Sequence, residues 1–335
     1  MSQPHQVIVV GPSWVGDMVM AQSLFKVLRS AEPDVAIDVV APDWSAGILS
    51  RMPEVRASYT LQAGHGELAL GARRKLATEL KPVGYDRAII MPRSLKAALV
   101  PWFAGIPVRT GFRGEFRYGL LTDVRRLDKA VLDQTVKRFV ALGVGATEPL
   151  PTIQSPALNI DADNQARLAA EHELSSDRSA VALMPGAAYG PAKMWPLEYF
   201  AELTAQLTGA GRQVWIIGSD KEFDLGEQIA GNHANVRNLC GKTSLDATVD
   251  LFALSGCAVT NDSGLMHVAA AAGTRVIALY GSSSPAFTPP LTEQRVIHHL
   301  NLDCSPCHKR ECPLGHLNCL RQIKPADVYA TVTGN

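Results

Sequence analysis

Val259-Thr260-Asn261-Asp262-Ser263-Gly264-Leu265-Met266-His267-Val268-Ala269-Ala270-Ala271-Ala272 is the stretch that decides the fold. Ala258-Val259-Thr260 is the apolar end of a short strand. Asn261, Asp262, Ser263 and Gly264 are turn and N-cap types, and 265–272 is a run of small residues suited to a helix. Strand, tight loop and helix N-terminus in that order form the βα corner of an α/β sheet. The first amides of such a helix lack intrahelical acceptors and attract anions. Asp262 and His267 stand beside those amides, so anion donors and hydroxyl-orienting side chains share one loop. A blander reading stays open on these residues alone, with Asp262 as a helix cap and His267 as a satisfied core histidine.

Outward from this corner the same alternation fills the chain. Apolar runs predict strands at 6–10, 37–41, 87–91 and 108–110, then at 180–184, 213–218, 257–260 and 275–280. Helical spacing predicts helices over 17–31, 45–52, 68–80, 94–103 and 129–142, then over 197–209, 222–230, 246–255 and 265–272. Alternating strands and helices mean parallel βαβ units, hence an α/β protein with doubly wound, Rossmann-like sheets. The pattern breaks at 147–158, where Pro149, Pro151 and Pro156 forbid a continuous helix. Two domains are therefore expected, 1–155 and 156–324, followed by a tail, 325–335, with a helix over 325–332. Ligands of open α/β sheets sit beyond the carboxyl ends of the strands, where the loops 11–17, 186–193 and 261–264 fall.

The chain has 335 residues, 47% apolar and 19% charged, which is enough for two cores and unlike a disordered composition. The first residues carry no basic n-region, and the longest apolar stretch, 97–108, contains two prolines. It is shorter than the ~20 residues of a membrane span, so a cytoplasmic protein without a secretory signal is expected. Residues 1–150 hold 19 Lys/Arg against 14 Asp/Glu, a balance of +5; residues 151–335 hold 13 against 18, or −5. Much of the excess lies in Arg109, Arg113, Arg117, Arg125 and Arg126. That suits an anionic partner, or else a solvated face; no nucleic-acid partner is expected. A Rossmann dehydrogenase would show G-x-G-x-x-G after its first strand. Gly11-Pro12-Ser13-Trp14-Val15-Gly16-Asp17 lacks the second glycine and places a bulky Trp14 in the path of a pyrophosphate, so no nicotinamide cofactor is expected.

Three motifs stand in a telling order: Gly11-Pro12-Ser13-Trp14-Val15-Gly16-Asp17-Met18, Pro185-Gly186-Ala187-Ala188-Tyr189-Gly190-Pro191-Ala192-Lys193-Met194-Trp195-Pro196, and Asn261-Asp262-Ser263-Gly264-Leu265-Met266-His267 before an Ala-rich helix. Together they resemble the bacterial lipopolysaccharide heptosyltransferases, family 9 glycosyltransferases of the two-domain GT-B fold, from about residue 7 to the C-terminus. Ser13-Trp14-Val15-Gly16-Asp17 and the Cys-rich tail are similar to the members that add the second inner-core heptose more than to those that add the first. The resemblance implies two Rossmann-like domains facing a central cleft. Acceptor binding would fall to 1–155 and nucleotide-sugar binding to 156–324, with the tail helix packing back on the N-terminal domain. It implies an inverting transfer of L-glycero-D-manno-heptose from ADP-heptose to the first heptose of heptosyl-Kdo2-lipid A, at the inner face of the inner membrane of a Gram-negative bacterium. Two alternatives stay open: addition of the first heptose to Kdo2-lipid A, and a non-catalytic sugar-nucleotide-binding protein. No cofactor is required on this reading beyond the donor itself, and divalent-ion dependence stays open.

Glycosyl transfer needs a base for the acceptor hydroxyl and positive potential at the departing diphosphate. Asp17, at the exit of the first strand, is the candidate base; capping the following helix is its other reading. The family's catalytic pair matches Gly16-Asp17. Lys193, in a Gly/Pro-rich loop, is the candidate diphosphate partner, with Gly186, Ser263, Gly264 and the first helical amides beside it. The resemblance gives Asp262 the sugar hydroxyls, with His267 assisting, and gives Glu222 the ribose; Asp220 and Asp224 leave that register open. The family often carries hydroxyl residues where Ala187 and Ala188 stand. For the acceptor it implies Ser13, Trp14, Arg93, Lys96 and Arg113, which suit carboxylates and phosphates. Cys304, Cys307, Cys312 and Cys319 enclose His308 and His316. Their C-x-x-C start fits tetrahedral zinc, but the later spacings match no familiar finger. A structural metal and a reduced thiol cluster are both open, and a reducing compartment argues against disulfides. Cys240 and Cys257 are isolated and expected to be buried.

Overall fold

The apolar runs become the inner strands of two six-stranded sheets. A computed structural model describes residues 5–64 and 66–334. The chain forms two units, Met1–Pro156 and Ala157–Asn335, one residue from the expected boundary. In the first, strands β1 (Gln6–Val10), β2 (Ala36–Ala41), β3 (Val55–Thr60), β4 (Arg87–Ile90), β5 (Val108–Phe112) and β6 (Asp123–Arg125) line up as β3-β2-β1-β4-β5-β6. In the second, β7 (Val181–Met184), β8 (Val214–Ile216), β9 (Val236–Asn238), β10 (Cys257–Asn261), β11 (Arg275–Leu279) and β12 (Arg295–His298) line up as β12-β11-β10-β7-β8-β9. All pairs are parallel. Counted from its own first strand, each sheet has the same doubly wound order. The order reverses between β1 and β4 and again between β7 and β10, and such a switch point opens a crevice for ligand.

Helices cover both faces, so the central strands are buried and read as continuous apolar runs. Ile8, Val10, Leu76, Leu80, Ile90 and Val100 belong to one core, and Leu183, Phe200, Leu203, Ile216, Val259 and Ile277 to the other. Each such side chain contributes roughly 1.5–3 kcal/mol when removed from water. Four strands escaped the sequence reading, β3, β6, β9 and β12, and all four are sheet edges. The helix Ala162–Glu171 also escaped it, since it buries only Leu168. The expected helix over 129–142 shrinks to Thr135–Val140, which packs on Val15–Ala31.

The stretch 147–158 contains no helix, as its prolines require. Its Gln154 and Ser155 carbonyls accept from Ser23 Oγ at 2.6 Å and Lys26 Nζ at 2.7 Å. The helix Pro325–Thr333 packs on Leu197–Gly209 in the second unit, where Val328 and Val332 enter the core. Arg275 Nη2 donates to the Thr331 carbonyl at 2.8 Å. Its apolar side fills a space beside β11 within the second unit. Among the described residues no helix is long and apolar enough to cross a membrane.

Candidate active site

At the second switch point, Asn261 ends β10 and joins three segments. Its Nδ2 donates to the Pro185 carbonyl at 2.7 Å, and its Oδ1 accepts from the Trp195 amide at 2.9 Å. The loop after β7 is thereby held against the corner after β10. Next along the chain, Asp262 is buried and its Oδ2 takes the ammonium of Lys193 at 2.5 Å. Ser263 is the N-cap of the helix Gly264–Ala271, yet its side chain makes no capping bond. The first amides of that helix are thus left open by the cap residue, beside Lys193 and Asp262. Asp262 is therefore an ion-pair partner and not the cap.

His267 is buried on the same helix, and burial lowers its pKa to about 4, against the raising effect of Asp262. It is neutral at physiological pH. Glu222 turns its carboxylate toward the loop after β7. Its Oε2 accepts from the Ser219 amide at 2.6 Å, and its Oε1 lies 1.4 Å from where a Cβ on Gly186 would stand. Gly186 and Gly218 are glycines because the Glu222 carboxylate occupies their side-chain space. Asp220 instead packs its backbone on Gly241, and Asp224 is exposed on the next helix. Lys193, Glu222, Asp262, Ser263, Gly264, His267 and Gly186 thus come together within one unit.

The loop that carries Lys193 is fastened to the Cys-rich tail. The Ala192 amide donates to the Arg310 carbonyl at 2.9 Å, and Tyr189 Oη donates to the His308 carbonyl at 2.9 Å. Gly190 has φ of 152°, and a Cβ there would sit 2.6 Å from the Arg310 carbonyl oxygen. Cys304, Cys307, Cys312 and Cys319 are free thiols around a cavity of about 20 Å³ that Ala192 also lines. Burial raises the Cys319 thiol, and the other three thiols raise it further; the Leu317 amide and its neighbours lower that of Cys312. Among the described residues no three His, Cys, Asp or Glu side chains are placed to hold a metal ion. Cys240 and Cys257 are buried, as expected.

In the first unit, Asp17 is the third residue of the helix Val15–Ala31, which starts two residues earlier than expected. Trp14 is its N-cap, so Asp17 is a first-turn carboxylate and not the cap. Ser13 and Trp14 are exposed, and the Ser13 carbonyl accepts from Trp44 Nε1 at 2.8 Å. The basic run divides into two classes. Arg109 donates to the Leu120 carbonyl at 2.6 Å, and Arg125 pairs with Asp123 at 2.7 Å. Arg117 is buried and donates to the carbonyls of Pro92 at 2.7 Å and Phe112 at 2.5 Å. Burial lowers its pKa to about 10, with Arg93 adding to the effect. These three are structural. Arg93 and Arg113, with Arg126, line an open cavity of about 420 Å³ beyond β4 and β5. Lys96 is half-buried and does not line it. Beside it the loop 113–118 is stapled down by Arg117 and by Glu115, which accepts from the Leu95 amide at 2.7 Å. Glu115 and Phe116 both have positive φ, and Phe116 is 89% exposed. Sequence reading gave no role to Tyr189 or Arg310 and missed that of Asn261 as a clamp.

The family profile of glycosyltransferase family 9 (heptosyltransferase) matches residues 73–318. The lipopolysaccharide heptosyltransferase 2 of Escherichia coli K12 is 45% identical over 335 residues, 96% of each chain. A lipopolysaccharide heptosyltransferase 1 of Pseudomonas aeruginosa is 26% identical, over 92% of this chain and 87% of its own. Among solved structures, that of the E. coli ADP-heptose LPS heptosyltransferase II superposes with a TM-score of 0.88 at 42% identity, covering 98% of both chains.

Proposed function

The chain belongs to glycosyltransferase family 9, the heptosyltransferases, and from that premise we propose that it moves L-glycero-D-manno-heptose from ADP-heptose to the first heptose of heptosyl-Kdo2-lipid A. The choice of acceptor rests on one observation: the full-length likeness is to second-heptose enzymes at 45%, against 26% for a first-heptose enzyme. A single assay tests it. The purified protein, given ADP-heptose with either Kdo2-lipid A or heptosyl-Kdo2-lipid A, should turn over only the second. Preferential use of the first would overturn the reading.

In this reading the second unit binds the donor. The open amides of Gly264–Ala271 and the Lys193 ammonium take the diphosphate. Glu222 accepts from the ribose hydroxyls, for which a carboxylate is well suited. Asp262 orients heptose hydroxyls with neutral His267 beside it. The first unit supplies the base. Asp17 removes the proton from the acceptor hydroxyl as its oxygen attacks the anomeric carbon, and ADP leaves with inversion. Charge on the leaving group is met by fixed amides and an ammonium, so the reading calls on no cofactor, and an assay with chelator reads divalent-ion dependence.

Arg93, Arg113 and Lys96 take the anionic groups of the acceptor, with Ser13 and Trp14 beside Asp17 in sequence. The lipid anchor of that acceptor implies work at a cytoplasmic membrane face. The exposed Phe116, on a stapled loop beside the arginine-lined cavity, suits contact with an anionic bilayer. Sedimentation with anionic and zwitterionic vesicles tests this, and equal absence from both pellets would refute it.

A further inference from the structure

The donor site has a charge deficit that its assigned residues do not cover. Lys193 brings one positive formal charge, whereas Asp262 and Glu222 bring two negative ones, and His267 is neutral. A nucleoside diphosphate adds more negative charge. The helix N-terminus offers the equivalent of roughly half a positive charge, which leaves the sum repulsive. Lys242 is engaged over the Phe223 ring at 5.7 Å.

One further cation faces the Lys193 loop. The Arg310 guanidinium carbon lies 5.4 Å from the centroid of the Tyr189 ring, and Lys193 Nζ lies 5.1 Å from the same centroid. Arg310 is exposed and enters none of the ion pairs found among the described residues. Its position is fixed by its backbone. The Arg310 carbonyl accepts from Ala192, Gly190 leaves room for that carbonyl, and Tyr189 reaches the neighbouring His308 carbonyl. Two hydrogen bonds therefore hold residues 308–310 on the loop 189–192, and they deliver a guanidinium without an acidic partner to the ring that Lys193 also faces.

We propose that Arg310 is a second diphosphate-binding residue, acting with Lys193 across Tyr189. This rests on the ADP-sugar reading given above. A guanidinium can bind phosphate oxygens through two donors at once, where an ammonium acts as a point charge. It also gives the cysteine-lined segment a purpose at the site, since that segment positions Arg310 from outside the Rossmann core.

Calorimetric titration of the full chain with ADP, AMP and adenosine provides the test, on wild type, Arg310→Ala and Arg310→Lys. A charge-assisted contact at an exposed side chain should be worth about five- to twentyfold in affinity. Arg310→Ala should weaken ADP by that factor, weaken AMP less and leave adenosine unchanged, with an unaltered melting temperature. Arg310→Lys should recover part of the loss. ADP binding within twofold of wild type in Arg310→Ala would overturn the proposal, as would an equal loss for adenosine. Wild-type protein that fails to bind ADP at all would instead sink the donor reading on which the proposal stands.

Discussion

Asp17 stands third in its helix, behind Trp14 at the N-cap, so its carboxylate can be altered without removing the cap. Asp17→Asn keeps the side chain's shape but cannot accept the acceptor's proton. Turnover should fall at least ~100-fold with ADP affinity and thermal stability near wild type; a rate within threefold of wild type would exclude Asp17 as the base. His267 gives a pH signature. Its folded pKa of about 4 lies below the ordinary 6.5, so the unfolded chain takes up the proton first as pH falls. The stability this burial permits is intact above about 6.5 and is lost between 6.5 and 4. Relative to His267→Gln, wild type should lose roughly 2 kcal/mol between pH 7 and pH 5, read from urea unfolding at each pH. Parallel profiles would assign the acid sensitivity elsewhere. At this scale the sequence exposed the chemistry but not the pairing. Lys193 and Asp262 each look like ligand groups, and only the fold shows that they neutralise one another.

Edge strands were the elements that sequence reading could not see. Inner strands such as β7 and β8 are buried along their length and spell unbroken apolar runs. β3 alternates half-buried and exposed residues, and β12 has no fully buried residue at all. Its short, mixed sequence carries no periodic signal that separates it from loop. Helices with one buried residue, such as Ala162–Glu171, passed unnoticed for the same reason as the edges. Between elements, Asn261 is the connection with most at stake, because both ends of its amide are used in a buried place. Asn261→Ala should cost about 2–4 kcal/mol, since two backbone groups lose their partner. It should also weaken ADP, because the loop bearing Lys193 is freed. Unfolding curves superimposable on wild type would show the clamp to be dispensable.

Across the whole molecule, the charge imbalance read from composition had two different causes. In the basic half, Arg109, Arg117 and Arg125 are spent on carbonyls and on Asp123, while Arg93, Arg113 and Arg126 remain around an open cavity. Net charge alone could not divide them, because it records no hydrogen-bond partner. The tail helix has the wider consequence. With Val328 and Val332 in the second core, each core is drawn from one unbroken stretch of chain. The ribosome therefore finishes the cluster around Ile8, Ile90 and Val100 before it begins the one around Leu183 and Val259. Residues 1–156 and 157–335 made as separate polypeptides should each be soluble and melt cooperatively, with ADP bound by the latter alone. Aggregation of 1–156 that only the remainder of the chain relieves would contradict this. A protein so arranged can fold in the order in which it is made.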